Sequence, residues 1–338
     1  MADYKLWNAL KDAKKYRWVE LSHSLNDESP YWSGIPEGSV ELAKTVWDWG
    51  KPELECLIQT FKFPGQFGTH IDFPGHFIKG KALSEKYDVN DLIFPLVVID
   101  ISEQAKKDPR YAVTVEDIKA YEAKYGPIPD GALVALRSDW YKKWPDMDAL
   151  SGIDAEGKEN APGWSLEALE YIYKVRNAAA NGHETLDTDS SAVAEEKGDL
   201  ACERYVLDND KLQVEVLANL DKVQPAGAVV IVSYPRIEGA TGLPARVWAI
   251  TEYERRSGKM SFEKSKSRSG RKRLGRPCHC AERVLSNRGR SSPRTGRRAC
   301  QHRKNVVGFA GRKAGAHRHR GHGKAGQPQV QEPVPHEG

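Results

Sequence analysis

The chain has 338 residues, of which 39% are hydrophobic, and a net charge of +4; this is enough apolar content for a core in one large domain or two small ones. The charge is unevenly placed: from Ser261 onward 20 Lys and Arg face 4 Asp and Glu, so the preceding body carries 31 basic against 43 acidic residues. No run of about 18 apolar residues occurs, and the N-terminus has no apolar segment of signal-peptide length, so no membrane association is expected and the protein reads as cytoplasmic.

All nine Trp and all thirteen Tyr precede the basic tail. Runs such as Arg271-Lys272-Arg273 and His317-Arg318-His319-Arg320 lack the apolar side chains that offset chain entropy. We therefore expect residues 1–255 to form one domain and 256–338 a disordered basic tail, whose Arg-Gly-Pro-His bias is that of a shifted reading frame. The tail's charge would give only salt-sensitive phosphate binding, and no nucleic-acid function is expected. Cys56 and Cys202 in the body, with Cys278, Cys280 and Cys300 in the tail, make an odd set without regular spacing. They read as reduced thiols, not a disulfide framework.

In chain order, Arg17 to Leu25 reads as a strand entering a turn, and Leu92 to Ile101 as a buried, β-branched strand. Thr114-Val115-Glu116-Asp117 opens a helix by the capping-box pattern, continued by Ile118, Tyr121 and Tyr125 and stopped at Gly126-Pro127. Ala132 to Leu136 is a strand, Ser165 through Val175 a helix, Val214 to Leu220 a strand or loop edge, and Ala228 to Val232 a strand. Strands mixed with helices, without repeats, predict a single α/β domain ending near Ile250. No glycine-rich nucleotide fingerprint or phosphate loop is present.

Four histidines lie in the first 260 residues, and two fall within Gly68-Thr69-His70-Ile71-Asp72-Phe73-Pro74-Gly75-His76-Phe77. If Thr69 to Phe73 is extended, His70 and Asp72 leave one face with their Cα atoms about 7 Å apart and can lean onto one cation. Gln66 shares that face if the strand continues back through Gly68, whose missing side chain leaves space for a ligand or a bulge. Phe73-Pro74-Gly75 bends the chain and lets His76 return toward the site.

This segment resembles the signature H-x-G-T-H-x-D-x-P-x-H of the metal-dependent cyclase family of kynurenine formamidase-like and isatin hydrolase-like proteins. Leu21-Ser22-His23-Ser24-Leu25 and Pro30-Tyr31-Trp32-Ser33-Gly34 are similar to that family's opening, and Gly131 to Trp140 to its buried strand and following turn. Asn181 to Asp189 stands where its second acidic block lies, Glu215 to Leu220 where it has E-G-L-x-N-L, and Pro244-Ala245-Arg246 at its closing P-x-R.

The resemblance implies a swivelling β/β/α domain with a mixed sheet, and metal-assisted hydrolysis of an amide, formamide or cyclic amide or imide by a metal-activated water. The alternative is a non-hydrolytic cyclase or a small-ligand-binding member. By the same resemblance His70 and Asp72 are metal ligands, His76 transfers protons, and Glu215 is a ligand or active-site carboxylate. Gln66 replaces the signature's first histidine; as an amide-oxygen ligand it would weaken zinc relative to manganese or magnesium. His183 and Glu184 depart from the commoner block and supply either a nitrogen ligand or a second acid–base group. Trp32 and Trp140 are expected to line the substrate pocket. The expected cofactor is Mn2+ or Zn2+, the partner a small-molecule amide, and the assembly a homodimer or homotetramer.

Overall fold

A computed structural model describes residues 3–51 and 53–253. The expectations for the tail concern residues outside this range. Thirteen strands occur among the described residues: β1 (Arg17–Glu20), β2 (Glu41–Trp47), β3 (Ile58–Lys62), β4 (His70–Asp72), β5 (Ile93–Asp100), β6 (Ala112–Val113), β7 (Leu133–Arg137), β8 (Gly163–Trp164), β9 (Ala180–His183), β10 (Leu212–Glu215), β11 (Ala228–Ser233), β12 (Gly242–Pro244) and β13 (Arg246–Thr251). The helices are α1 (Lys5–Ala13), α2 (Ser102–Lys107), α3 (Val115–Tyr125), α4 (Met147–Ser151), α5 (Leu166–Glu170), α6 (Ser191–Lys197) and α7 (Ala201–Asp208).

Nine strands form one mixed sheet in the order β1-β13-β11-β5-β7-β9-β10-β4-β12. Its centre, β5-β7-β9-β10, is parallel, and both wings are antiparallel. Parallel strands need crossovers, and the segments carrying α3, α5 and α7 supply them. β5 and β7 are buried on both faces, which explains their unbroken apolar sequence.

Side chains alternate between two cores. Leu96, Val98, Leu133, Ala135, Ala180, Val214 and Ile71 face one cluster, which also takes Val19 and Leu21 from the opposite edge of the sheet. Ala218 N donates to Leu21 O at 2.8 Å, tying the segment after β10 to the chain beyond β1. The sheet is therefore curled, with one core inside the curl. Val97, Ile99, Val134 and Leu136 face the second cluster, closed by Ile118 and Tyr121 of α3, Leu169 of α5 and Val206 and Leu207 of α7.

The capping box at Thr114 and Asp117 forms as expected, and Gly126 ends α3 at φ 93. The helix expected over Ser165 to Val175 changes character partway. It is α-helical over Leu166–Glu170, then widens to a π-helical turn over Tyr171–Val175, with Ile172 and Tyr173 in the core. Strands β2 and β3 form a separate two-stranded hairpin in which no side chain is buried.

Candidate metal centre

The site follows from strand register. In the antiparallel pair β4–β10, Glu215 lies opposite His70, Val214 opposite Ile71 and Gln213 opposite Asp72. Because side chains alternate along a strand, Ile71 and Val214 enter the core of the curl while His70, Asp72, Gln213 and Glu215 share the other face. All four are buried, none exposing more than 4% of its surface. His70 Nε2 is 3.2 Å from Asp72 Oδ2 and 3.2 Å from Glu215 Oε2. A second set, Asp72, His76 and Glu203, also brings its ligand atoms within 4.8 Å of one another.

The arrangement fits a cation. His70 Nδ1 is 2.8 Å from the Gly68 carbonyl oxygen, which can only accept, so Nδ1 carries a proton. In the neutral ring the Nε2 lone pair then faces two carboxylate oxygens, and this buried atom has no hydrogen-bond partner. Three electron-rich atoms converging in a buried place require a proton or a metal ion between them. Without a metal, burial opposes the charge on His70, but Asp72 and Glu215 outweigh it and hold the imidazole pKa well above its ordinary value. Burial likewise opposes the charge on Glu215, and His183 and His70 overcome it, holding that carboxyl well below the usual range. Glu203 goes the other way. Burial, then the charges of Glu215 and Asp72, push its carboxyl well above the usual range.

Gln66 occupies a different relation from the amide-oxygen ligand expected of it. Its Nε2 donates to Asp72 Oδ1 at 2.9 Å; since a carboxylate only accepts, the amide as placed holds Asp72. Gly242, opposite Asp72 on β12, makes room for this contact, because a Cβ there would collide with Gln66 Nε2 and Asp72 Oδ1. The space expected at Gly68 is filled by Leu25; the residue has φ +60, and its carbonyl oxygen lies 2.8 Å from His70 Nδ1.

His183 lies behind Glu215, 1% exposed, with Nε2 3.3 Å from Glu215 Oε1. Glu184 points to the other face of β9. Its Oε2 accepts from Ser138 N, Ser138 Oγ and Trp140 N, so it braces the turn after β7 and takes no part in the cluster. His76 ends the 3-10 turn Pro74–His76, partly exposed, with Nε2 3.8 Å from Glu203 Oε1.

Glu203 and Gln213 had no place in the sequence reading, and Thr188 stood there only as part of the Asn181 to Asp189 block. Glu203 is buried on α7 with Cys202, Val206 and Leu207, a carboxylate within an apolar helix face. Gln213 follows from the alternation Leu212-Gln213-Val214-Glu215 once the strand is started two residues earlier than expected. Thr188 is fully buried, its hydroxyl 3.0 Å from Gln213 Oε1 and 3.2 Å from Glu215 Oε1, with one proton to give to either.

His70, Glu215, His76, Glu203 and Gln66 meet at a cavity of about 1020 Å3. Tyr31, Trp32, Ile35, Phe77, Trp144 and Met147 contribute apolar wall. Trp140 does not. It is buried outside this cavity, its indole N–H donating to Leu150 O at 2.7 Å, and Trp144 provides the wall instead. His23 stacks on Trp144 at 4.4 Å, and burial lowers its pKa to about 4, so it is a neutral support for that wall.

The family model described as Putative cyclase matches residues 19–190. An isatin hydrolase of Roseibium aggregatum is 34% identical over 187 residues, 54% of this chain and 70% of that protein. Isatin hydrolase A of Labrenzia aggregata, solved with benzyl benzoate, is similar at TM-score 0.66 and 26% identity, over 74% of this chain and 100% of that one. Isatin hydrolase A of Ralstonia solanacearum is similar at TM-score 0.65 and 27% identity, over 75% of this chain and 99% of that one. The chain belongs to the Putative cyclase family.

Proposed function

We propose that this protein is a divalent-metal-dependent hydrolase of a small amide, formamide or cyclic amide. The observation that carries the reading is the buried, unpartnered Nε2 of His70 between carboxylate oxygens of Asp72 and Glu215, at the polar end of a cavity with aromatic walls. Similarity to isatin hydrolases supports the bond type, a cyclic amide.

His70, Asp72 and Glu215 would hold the ion, Mn2+ or Zn2+. When bound, such an ion lowers the pKa of a coordinated water and polarises the scissile carbonyl. His76 stands on the cavity wall with its side chain partly exposed, as a group moving a proton to the leaving nitrogen must. Glu203 Oε1 lies 3.8 Å from His76 Nε2, so a proton carried by that ring sits beside a carboxyl group. Trp32, Tyr31 and Trp144 supply an apolar surface for the ring of the substrate and exclude water from the far wall.

The test is turnover by metal-loaded protein on a panel of cyclic amides, formamides and imides, with loss on chelation and recovery with Mn2+ or Zn2+. Ligand binding without turnover across the panel would replace this reading with that of a binding protein.

A homodimer or homotetramer is proposed as well. The β2–β3 hairpin stands apart from the main sheet, with Phe61 61% and Val46 50% exposed, and an isolated two-stranded hairpin is marginal in water. A second copy covering it would supply the missing core. A monomeric mass in solution at micromolar concentration would refute the assembly.

A further inference from the structure

We infer that Thr188, acting through Gln213 and beside His183, is a positioning residue that makes Glu215 a one-oxygen metal ligand; this rests on the metal-site reading above. The two oxygens of Glu215 have unlike surroundings. Oε1 faces three groups, Gln213 Nε2 at 3.0 Å, Thr188 Oγ1 at 3.2 Å and His183 Nε2 at 3.3 Å. Oε2 faces His70 Nε2. Oε1 already accepts from Gln213 Nε2 and is walled in by Thr188 Oγ1 and His183 Nε2, whereas Oε2 is turned toward the other two ligand atoms, so a cation reaches Glu215 through Oε2.

Thr188 holds the key to this asymmetry because it orients the Gln213 amide. Its hydroxyl lies 3.0 Å from Gln213 Oε1, so the amide oxygen is turned to Thr188. The Nε2 end is thereby turned to Glu215 Oε1 at 3.0 Å, Glu203 Oε1 at 3.0 Å and Asp72 Oδ2 at 3.3 Å. One amide thus spans three acids that would repel each other unaided. Thr188, Gln213 and Glu215 are all at most 4% exposed, so water cannot substitute for a lost donor without new space. A carboxylate bound through one oxygen occupies one coordination position and leaves more of them for water and substrate.

Hydrogen-bonding partners of metal ligands alter affinity by about 10- to 100-fold when removed. Thr188→Val keeps the shape of the side chain and deletes its hydroxyl; Thr188→Ser keeps the hydroxyl. For the full chain, Mn2+ binding is measured by calorimetry and by the electron paramagnetic resonance spectrum of the bound ion. The expected result is a Kd weakened by about tenfold or more and an altered Mn2+ spectrum in Thr188→Val, with both restored in Thr188→Ser. Wild-type affinity and spectrum in Thr188→Val would overturn the inference while leaving the metal site intact. If wild type itself takes up neither Mn2+ nor Zn2+, the metal reading falls first. Should Thr188→Val not fold, a structure of the wild-type protein loaded with Mn2+ decides the matter: ligation by Oε2 alone supports the inference, and ligation by both oxygens of Glu215 overturns it.

Discussion

Glu215 stands directly across the β4–β10 ladder from His70, and their facing atoms, Oε2 and Nε2, are 3.2 Å apart. This pairing converts a local sequence signature into a site. His70 and Asp72 come from one strand two residues apart, and the third group arrives from a strand more than 140 residues later because register places it there.

Gly242→Ala is expected to disturb the site from behind. The added methyl has no room between Gln66 and Asp72, and overpacking of this kind costs about 1–3 kcal/mol. Thermal denaturation should show that loss, and calorimetry should show weaker Mn2+ binding because Asp72 must shift. Unchanged metal affinity would mean that Asp72 does not depend on this packing.

Gln66→His is expected to leave the preference between zinc and manganese close to that of wild type, because Gln66 turns its amide nitrogen to Asp72 Oδ1 and so holds a ligand carboxylate from behind. Competition titrations with the two ions check this. A marked gain in zinc affinity would show that position 66 reaches the ion.

Metal affinity should fall as pH falls. In the metal-free site Asp72 and Glu215 overcome burial and raise the His70 pKa well above its ordinary value, so an incoming ion must displace a proton. Where one proton is displaced, the apparent Kd weakens about tenfold for each unit of pH lowered. Calorimetry between pH 6 and 8 measures the slope; a flat profile would contradict the assignment of His70 as a ligand.

Glu184 predicts a separate pH effect on stability. Burial, more than the neighbouring charge of Asp139, raises its folded pKa to about 7, above the unfolded value near 4.5. The folded state therefore holds more protons than the unfolded state between these values. This contribution is fully present below about pH 4.5 and is lost as pH rises through about 7. The shift corresponds to about 3 kcal/mol. Glu184→Gln, which can still accept from Ser138 and Trp140, should flatten stability against pH, as read by denaturant melts at pH 5.5 and 8. An unchanged slope would show that Glu184 is not the titrating group.

The sequence was most readable where one strand carries its own pattern. β5, β7 and β11 stand out as short apolar runs, and the alternation of His70 and Asp72 about Ile71 places both side chains on one face without any tertiary information. Glu203 and Gln213 were not legible in the same way. Glu203 has meaning only once α7 is laid over the end of β10, although a carboxylate among Cys202, Val206 and Leu207 is a visible anomaly in an apolar helix face. Gln66 is ambiguous in sequence because an amide can coordinate or donate, and only the position of Asp72 Oδ1 distinguishes these. Trp140 and Trp144 are both near the same turn, and packing alone decides that Trp144 faces the cavity.

The central claim is that His70, Asp72 and Glu215 bind one divalent ion that supports amide hydrolysis. Metal content by mass spectrometry, measured on Mn2+-reconstituted wild type, His70→Ala, Asp72→Ala, Glu215→Gln and His76→Ala under identical dialysis, tests it most directly. The account predicts about one ion retained by wild type and by His76→Ala, with turnover lost in the latter, and strong depletion in the three ligand variants. Equal metal content across all five proteins would contradict it.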